Sequence, residues 1–133
     1  MKNGDNTKEK TINYWISRSD KDFDTMMHLY KSKDYHWSLF IGHLVIERLL
    51  KAAILKKTDA PAPFTHDLRR LAKLSEIEFN DEHKRLLNTI TTFNLNARYD
   101  DYKQDFYKKC TLKYAETWIS NIKMLREWIK VKL

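Results

Sequence analysis

Only two glycines and two prolines occur among the 133 residues, and this scarcity constrains the fold more than any other feature of the chain. Sheet proteins need such residues at their many turns, where a positive or a fixed φ is required. A chain so poor in them is built from long helices joined by few connections. Its length is that of one domain, since domains usually run about 100–150 residues. With 42% hydrophobic and 13% aromatic residues, it has the apolar area for a single packed core rather than a disordered chain.

From Thr11 to about Lys33, Ile12, Trp15, Ile16, Phe23, Met26, Met27 and Tyr30 recur at three- and four-residue intervals, with Asp20, Lys21, Asp22 and Asp24 between them. This spacing predicts an amphipathic helix. Residues 1–10 are polar with no apolar run behind them, and read as a frayed, disordered tail rather than a secretory leader. Residues 11–133 then form one helical domain. Lys31–Asp34 is the next turn, and Asp34 suits the N-cap of a second helix reaching about Lys57. That helix is apolar almost all round, as befits the central member of a bundle, with one polar stripe of His36, His43, Glu47 and Lys51. Its charges would be expensive in hydrocarbon, so no membrane span is expected. Pro61 and Pro63 make Thr58–Thr65 the clearest loop. A short helix is predicted from His66 to about Ser75, and another, capped by Asn80 or Asp81, to about Leu95. Asn96–Asp105 lacks an apolar period and reads as a connection or helix end. The last helix covers Phe106 to Lys132, with Tyr114, Trp118, Ile122, Leu125 and Ile129 on one face. The result is an all-α fold, an antiparallel up-and-down four-helix bundle with one additional short helix.

The formal charge is +7, and residues 101–133 carry +4 of it, a surplus that attracts phosphates without regard to sequence. One cysteine, Cys110, excludes an internal disulfide framework and a cysteine zinc site, and fits a reducing cytoplasm. As a nucleophile it would need a base beside it, so a small buried hydrophobe is the simpler reading. Gly4 and Gly42 cannot build a glycine-rich phosphate loop. Any nucleotide must be held by side chains, and no cofactor is expected. His43 and Glu47 lie one turn apart on a helix face and would suit a metal, but no repeated motif provides the other ligands. An ordinary pair inside the bundle is the simpler reading, and no metal is expected. Lys109, Lys113, Lys123 and Lys130 form a charged face interrupted by Glu116 and Glu127, as solvation alone requires. In Asn94–Lys108, Arg98 sits among Tyr99, Tyr102, Phe106 and Tyr107 with Asp100, Asp101 and Asp105. Arginine offers a planar fork for phosphate and tyrosines stack on bases. The same residues can also be read as an Arg–Asp network pinning this segment to the bundle.

Three segments in order carry a resemblance. The first is Tyr35-to-Leu55, with Tyr35, Phe40, His43, Glu47, Leu50, Lys51 and Ala52. The second is His66-Asp67-Leu68 with Leu71, and the third Asn96–Tyr102. Together they resemble the HEPN domain family. The resemblance implies a four-helix up-and-down bundle with a shorter added helix, frequent dimerisation, and nucleotide or nucleic-acid chemistry. Many members are ribonucleases with an arginine, four to six residues, then a histidine; others pair with small nucleotidyltransferases in toxin–antitoxin systems. Arg98 takes the place of the motif arginine, but Lys103, Gln104 and Asp105 stand where the histidine would fall, and all five histidines precede Arg98. Metal-independent RNA cleavage needs a group of near-neutral pKa, which histidine provides at ~6.5.

The expectation is therefore a non-catalytic module that binds a nucleotide or nucleic acid, RNA or DNA. Arg98 would grip phosphate, Tyr99 and Tyr102 would stack, and Lys103, Lys108 and Lys109 would add charge, with His43, Glu47, His66 and Asp67 as supporting polar groups. Two alternatives stand beside it. One is a toxin-like, metal-independent ribonuclease in which His43 or His66 supplies the acid–base group. The other is a purely protein-binding partner, for instance of a nucleotidyltransferase. A homodimer is expected on the resemblance.

Overall fold

The computed structural model describes the backbone of residues 3–133 and the side chains of residues 7–133. Six helices follow one another: α1 (Asn3–Lys31), α2 (Tyr35–Thr58), α3 (Leu68–Ser75), α4 (Asp81–Arg98), α5 (Asp100–Lys109) and α6 (Leu112–Val131). Contacts between their ends fix the directions. Lys8 of α1 pairs with Asp59 just beyond α2, and the Lys56 ammonium near the end of α2 donates to the Leu133 carbonyl after α6. The rings of His83 and Phe93 on α4 meet those of Trp128 and Trp118 on α6, at 4.5 and 5.5 Å between centroids. Thus α1 and α4 run one way and α2 and α6 the other. This is the expected up-and-down bundle.

The centre is α2, which packs against each of the other five helices. Met26, Leu39, Ile46, Leu50, Leu87, Phe93, Ile122 and Leu125 are fully buried around it. Gly42 has a packing reason: a Cβ there would stand 2.5 Å from Ile122 Cδ1 and 3.1 Å from Met26 Sδ, so any larger residue would have to push these side-chain ends aside where α1, α2 and α6 meet. Two buried hydroxyls join α1 to α2, Ser19 donating to the Val45 carbonyl at 2.7 Å and Ser38 to the Met26 carbonyl at 2.8 Å. Two of the aspartates that lie between the apolar positions of α1 bridge helices. Asp22 pairs with Arg48 of α2, and Asp20 with Arg126 and Lys130 of α6.

Three expectations are corrected. First, α1 is helical from Asn3, so the tail expected over residues 1–10 is part of a helix from residue 3 on; residues 1–2 lie outside the described residues. Second, Asp34 does not cap α2. Its carboxylate accepts the Ser32 hydroxyl at 2.6 Å instead. Third, the stretch Asn96–Asp105, read as a connection or helix end, closes α4 at Arg98 and opens α5 at Asp100 with Tyr99 alone between them, and a second break at Cys110–Thr111 divides the expected last helix between α5 and α6. The bundle therefore has two short helices rather than one. In α5 only Phe106 is buried, which explains why no apolar period announced it. Asp100 and Asp101 in its first turn and Lys108 and Lys109 in its last suit the helix dipole.

Among the described residues no helix is long and apolar enough to cross a membrane.

Candidate functional site

The polar stripe of α2 turns inward and meets the loop before α3. His43 is wholly buried, and its Nε2 lies 2.9 Å from the His66 carbonyl. A carbonyl only accepts, so Nε2 carries the hydrogen and Nδ1 is left without a hydrogen-bond partner, 3.8 Å from Glu47 Oε1. The same Glu47 oxygen accepts from His66 Nδ1 at 2.8 Å, while Lys51 Nζ donates to Oε2 at 3.1 Å. His66 is thereby held twice, its backbone by His43 and its ring by Glu47. The ring itself remains 44% exposed.

The charges follow from this arrangement. Burial alone would raise the pKa of Glu47, but the hydrogen bond from His66 and the neighbouring His43 and Lys51 outweigh it and hold the carboxyl below its ordinary value. Burial pushes His43 down, and Arg98 and His66 push it further, against the opposing pull of the His66 carbonyl and Glu47. At neutral pH the seam is an ionised carboxylate between a neutral buried imidazole and an ammonium.

Arg98, the last residue of α4, acts on His43 electrostatically. Its Nε donates to the Asn94 carboxamide oxygen at 2.8 Å, and the guanidinium carbon lies 5.5 Å from the centre of the Tyr99 ring. Asn94 is buried and anchors the arginine from one turn below. Among the described residues no carboxylate pairs with Arg98, so the Arg–Asp network is not what holds this segment. Tyr99 and Tyr102 are each about half exposed. Lys103 lies over the Trp37 ring at 5.0 Å. Lys108 and Lys109 stand at the far end of α5, about 15 Å of helix from Arg98, and Lys109 lies over Tyr114. The structure thus brings His43, Glu47 and His66 together and keeps Arg98, Tyr99 and Lys103 along one edge, while Lys108 and Lys109 belong elsewhere.

Two further residues have other tasks. The Asp67 carboxylate is occupied as the N-cap of α3, accepting from the backbone of Arg69 and Arg70. Cys110 is buried, and burial pushes its thiol up to about 12, so it is not an activated nucleophile. No group of three or more His, Cys, Asp or Glu among the described residues is arranged to hold a metal ion.

The sequence placed Lys51 on the stripe with His43 and Glu47 but gave Asn94 no role at the site, although it sits one turn from Arg98. Spacing on one helix can reveal such partners. The bond from His66 to Glu47 spans 19 residues and a proline loop, and no local signal announces it.

The site is thus an ionised carboxylate seam on the central helix of an all-helical bundle, with an exposed arginine at the end of the third long helix. A model of the HEPN domain matches residues 12–132, and the chain belongs to that family. The fold is similar to the crystal structure of TT1696 from Thermus thermophilus, with a TM-score of 0.79 at 15% identity, over 92% of this chain and 98% of that one. Among curated proteins none matches the sequence.

Proposed function

We propose that this HEPN domain binds a nucleotide or nucleic acid through Arg98, with Tyr99 and Tyr102 as stacking surfaces and Lys103 as a second cation. The observation that carries the reading is the tether of Arg98. Asn94 holds Nε, no described carboxylate claims the guanidinium, and the residue is exposed beside an aromatic ring. An exposed, oriented guanidinium is suited to bidentate contact with phosphate. The single cysteine fits work in the reducing cytoplasm.

A labelled short RNA and the matching single-stranded DNA, titrated with the full chain at low and moderate salt, test this by fluorescence anisotropy. Binding should weaken with salt and fall at least tenfold in Arg98→Ala. Equal affinity in that variant would remove the site. One observation favours a second reading, metal-independent RNA cleavage: Glu47 orients His66 Nδ1 and leaves Nε2 as the ring's free nitrogen, an arrangement suited to proton transfer. RNA recovered intact from the same titration in chelator rejects it. Cleavage that disappears in His66→Ala would support it.

A further inference from the structure

The exposed side of α3 and the connection from α3 to α4 bound an open hollow of about 790 Å³. We infer that this hollow is a docking groove for a short acidic segment of a partner protein, with the segment's carboxylates on Arg70, Lys73 and Lys84 and an aliphatic side chain resting on Ile77 and Phe79. The surface is separate from the Arg98 edge. Lys84 lies in the first turn of α4 and Arg98 is its last residue, about 20 Å of helix away.

Charge points to the occupant. α3 carries Arg69, Arg70 and Lys73, all exposed, and no carboxylate. Arg69 donates to the Asn88 carboxamide oxygen at 3.5 Å, but among the described residues no ion pair claims Arg70, Lys73 or Lys84. The Asp67 carboxylate, which also lines the hollow, is spent on capping α3. Arginine takes a carboxylate through two parallel N–H bonds, and lysine adds a point charge beside it. Glu76 and Glu78 line the hollow as well, and the cations stay in excess of them. These two carboxylates discriminate between anions. They repel a phosphodiester chain, whereas a peptide brings backbone N–H groups that a carboxylate accepts.

The floor of the hollow is apolar. Ala72 and Phe79 are buried and Ile77 is half-buried. The Phe79 ring packs against Trp128 at 5.0 Å between centroids and is only 8% exposed, so it offers no open face on which a base could stack. An aliphatic side chain laid on this floor leaves water, and that contact separates an acidic peptide with apolar residues from a plain polyanion. The size fits a few residues, since sites for compact ligands run about 300–1,000 Å³. The cations also stand on a fixed element. Asp67 caps α3 at its start, and Leu68 and Leu71 are buried beneath it, so little backbone ordering is needed when a partner binds.

The test titrates the full chain into a fluorescein-labelled peptide of alternating glutamate and leucine, read by anisotropy at low salt. Two control peptides, with glutamine for glutamate or serine for leucine, should each bind at least tenfold more weakly. The exposed pair Arg70→Gln and Lys73→Gln, made together, should weaken the parent peptide at least tenfold. Lys113→Gln with Lys123→Gln, which removes the same charge from α6, should leave its affinity unchanged, and so should Arg98→Ala. A parent peptide that does not bind, or that binds the Arg70 and Lys73 variant equally, overturns the inference. An equal loss in the α6 variant overturns it too, by reducing the effect to net charge. Equal binding of the glutamine peptide removes the carboxylate contacts, and equal binding of the serine peptide removes the apolar floor. Displacement of the peptide by a short RNA in the Arg98→Ala variant would assign the groove to nucleic acid instead.

Discussion

His43 is a titratable group whose proton the folded protein refuses. Its folded pKa lies below the ordinary 6.5, so below that pH the unfolded chain takes up a proton that the native chain does not. Stability is therefore full above about pH 6.5 and falls as the pH drops towards the folded value. His36, shifted the same way, adds to this slope. The depressed Glu47 contributes stability that is present above its ordinary 4.5 and lost as the pH falls through its lower folded value. Urea denaturation from about pH 8 down to 5 should show the decline, and a shallower one in His43→Gln; an unchanged slope would assign it to other groups. A second residue-scale consequence concerns Gly42. Leucine there must displace the Ile122 and Met26 side chains in a closed core, and should cost about 3 kcal/mol by the same measurement.

At the scale of elements, the helices that were legible are those with a buried stripe. The second helix was bounded to within a residue or so because both its turns carry signals, a polar Ser-Lys-Asp on one side and prolines on the other. α5 was not legible, since Phe106 is its one buried residue and a period needs at least two. Cap chemistry was legible where the side chain had no rival. Asn80, one of the two caps expected for α4, accepts from the third residue beyond it, whereas Asp34 found the Ser32 hydroxyl nearer than the helix it precedes. The site was half legible for the same reason. His43, Glu47 and Lys51 share one helix face, while the arrival of His66 depends on how a loop folds back. The short α3 depends on its cap more than a long helix does, because few turns share the load. Asp67→Ala should lower stability by about 1 kcal/mol in chemical denaturation. It should also loosen the adjacent His66, visible as broadening of that ring's NMR signal.

For the molecule as a whole, a surplus of +7 says less than its placement. The three carboxylates of α5 cancel its three lysines, so the Arg98 edge offers few net positive contacts. Single-stranded binding loses about 0.7 in the logarithmic salt slope for each phosphate contact removed. If Arg98 and Lys103 alone carry the contacts, the slope should be near −1.4, roughly half of what Lys108 and Lys109 would add together with them. Anisotropy at four or five salt concentrations separates the two footprints. The thinly anchored α5 also gives the molecule a chemical clock. Cys110 is nearly buried at the α5–α6 junction and its thiol stays protonated, so a thiol reagent reaches it far faster while α5 is lifted away. The rate at which the one sulfur is alkylated then counts the openings of that flap.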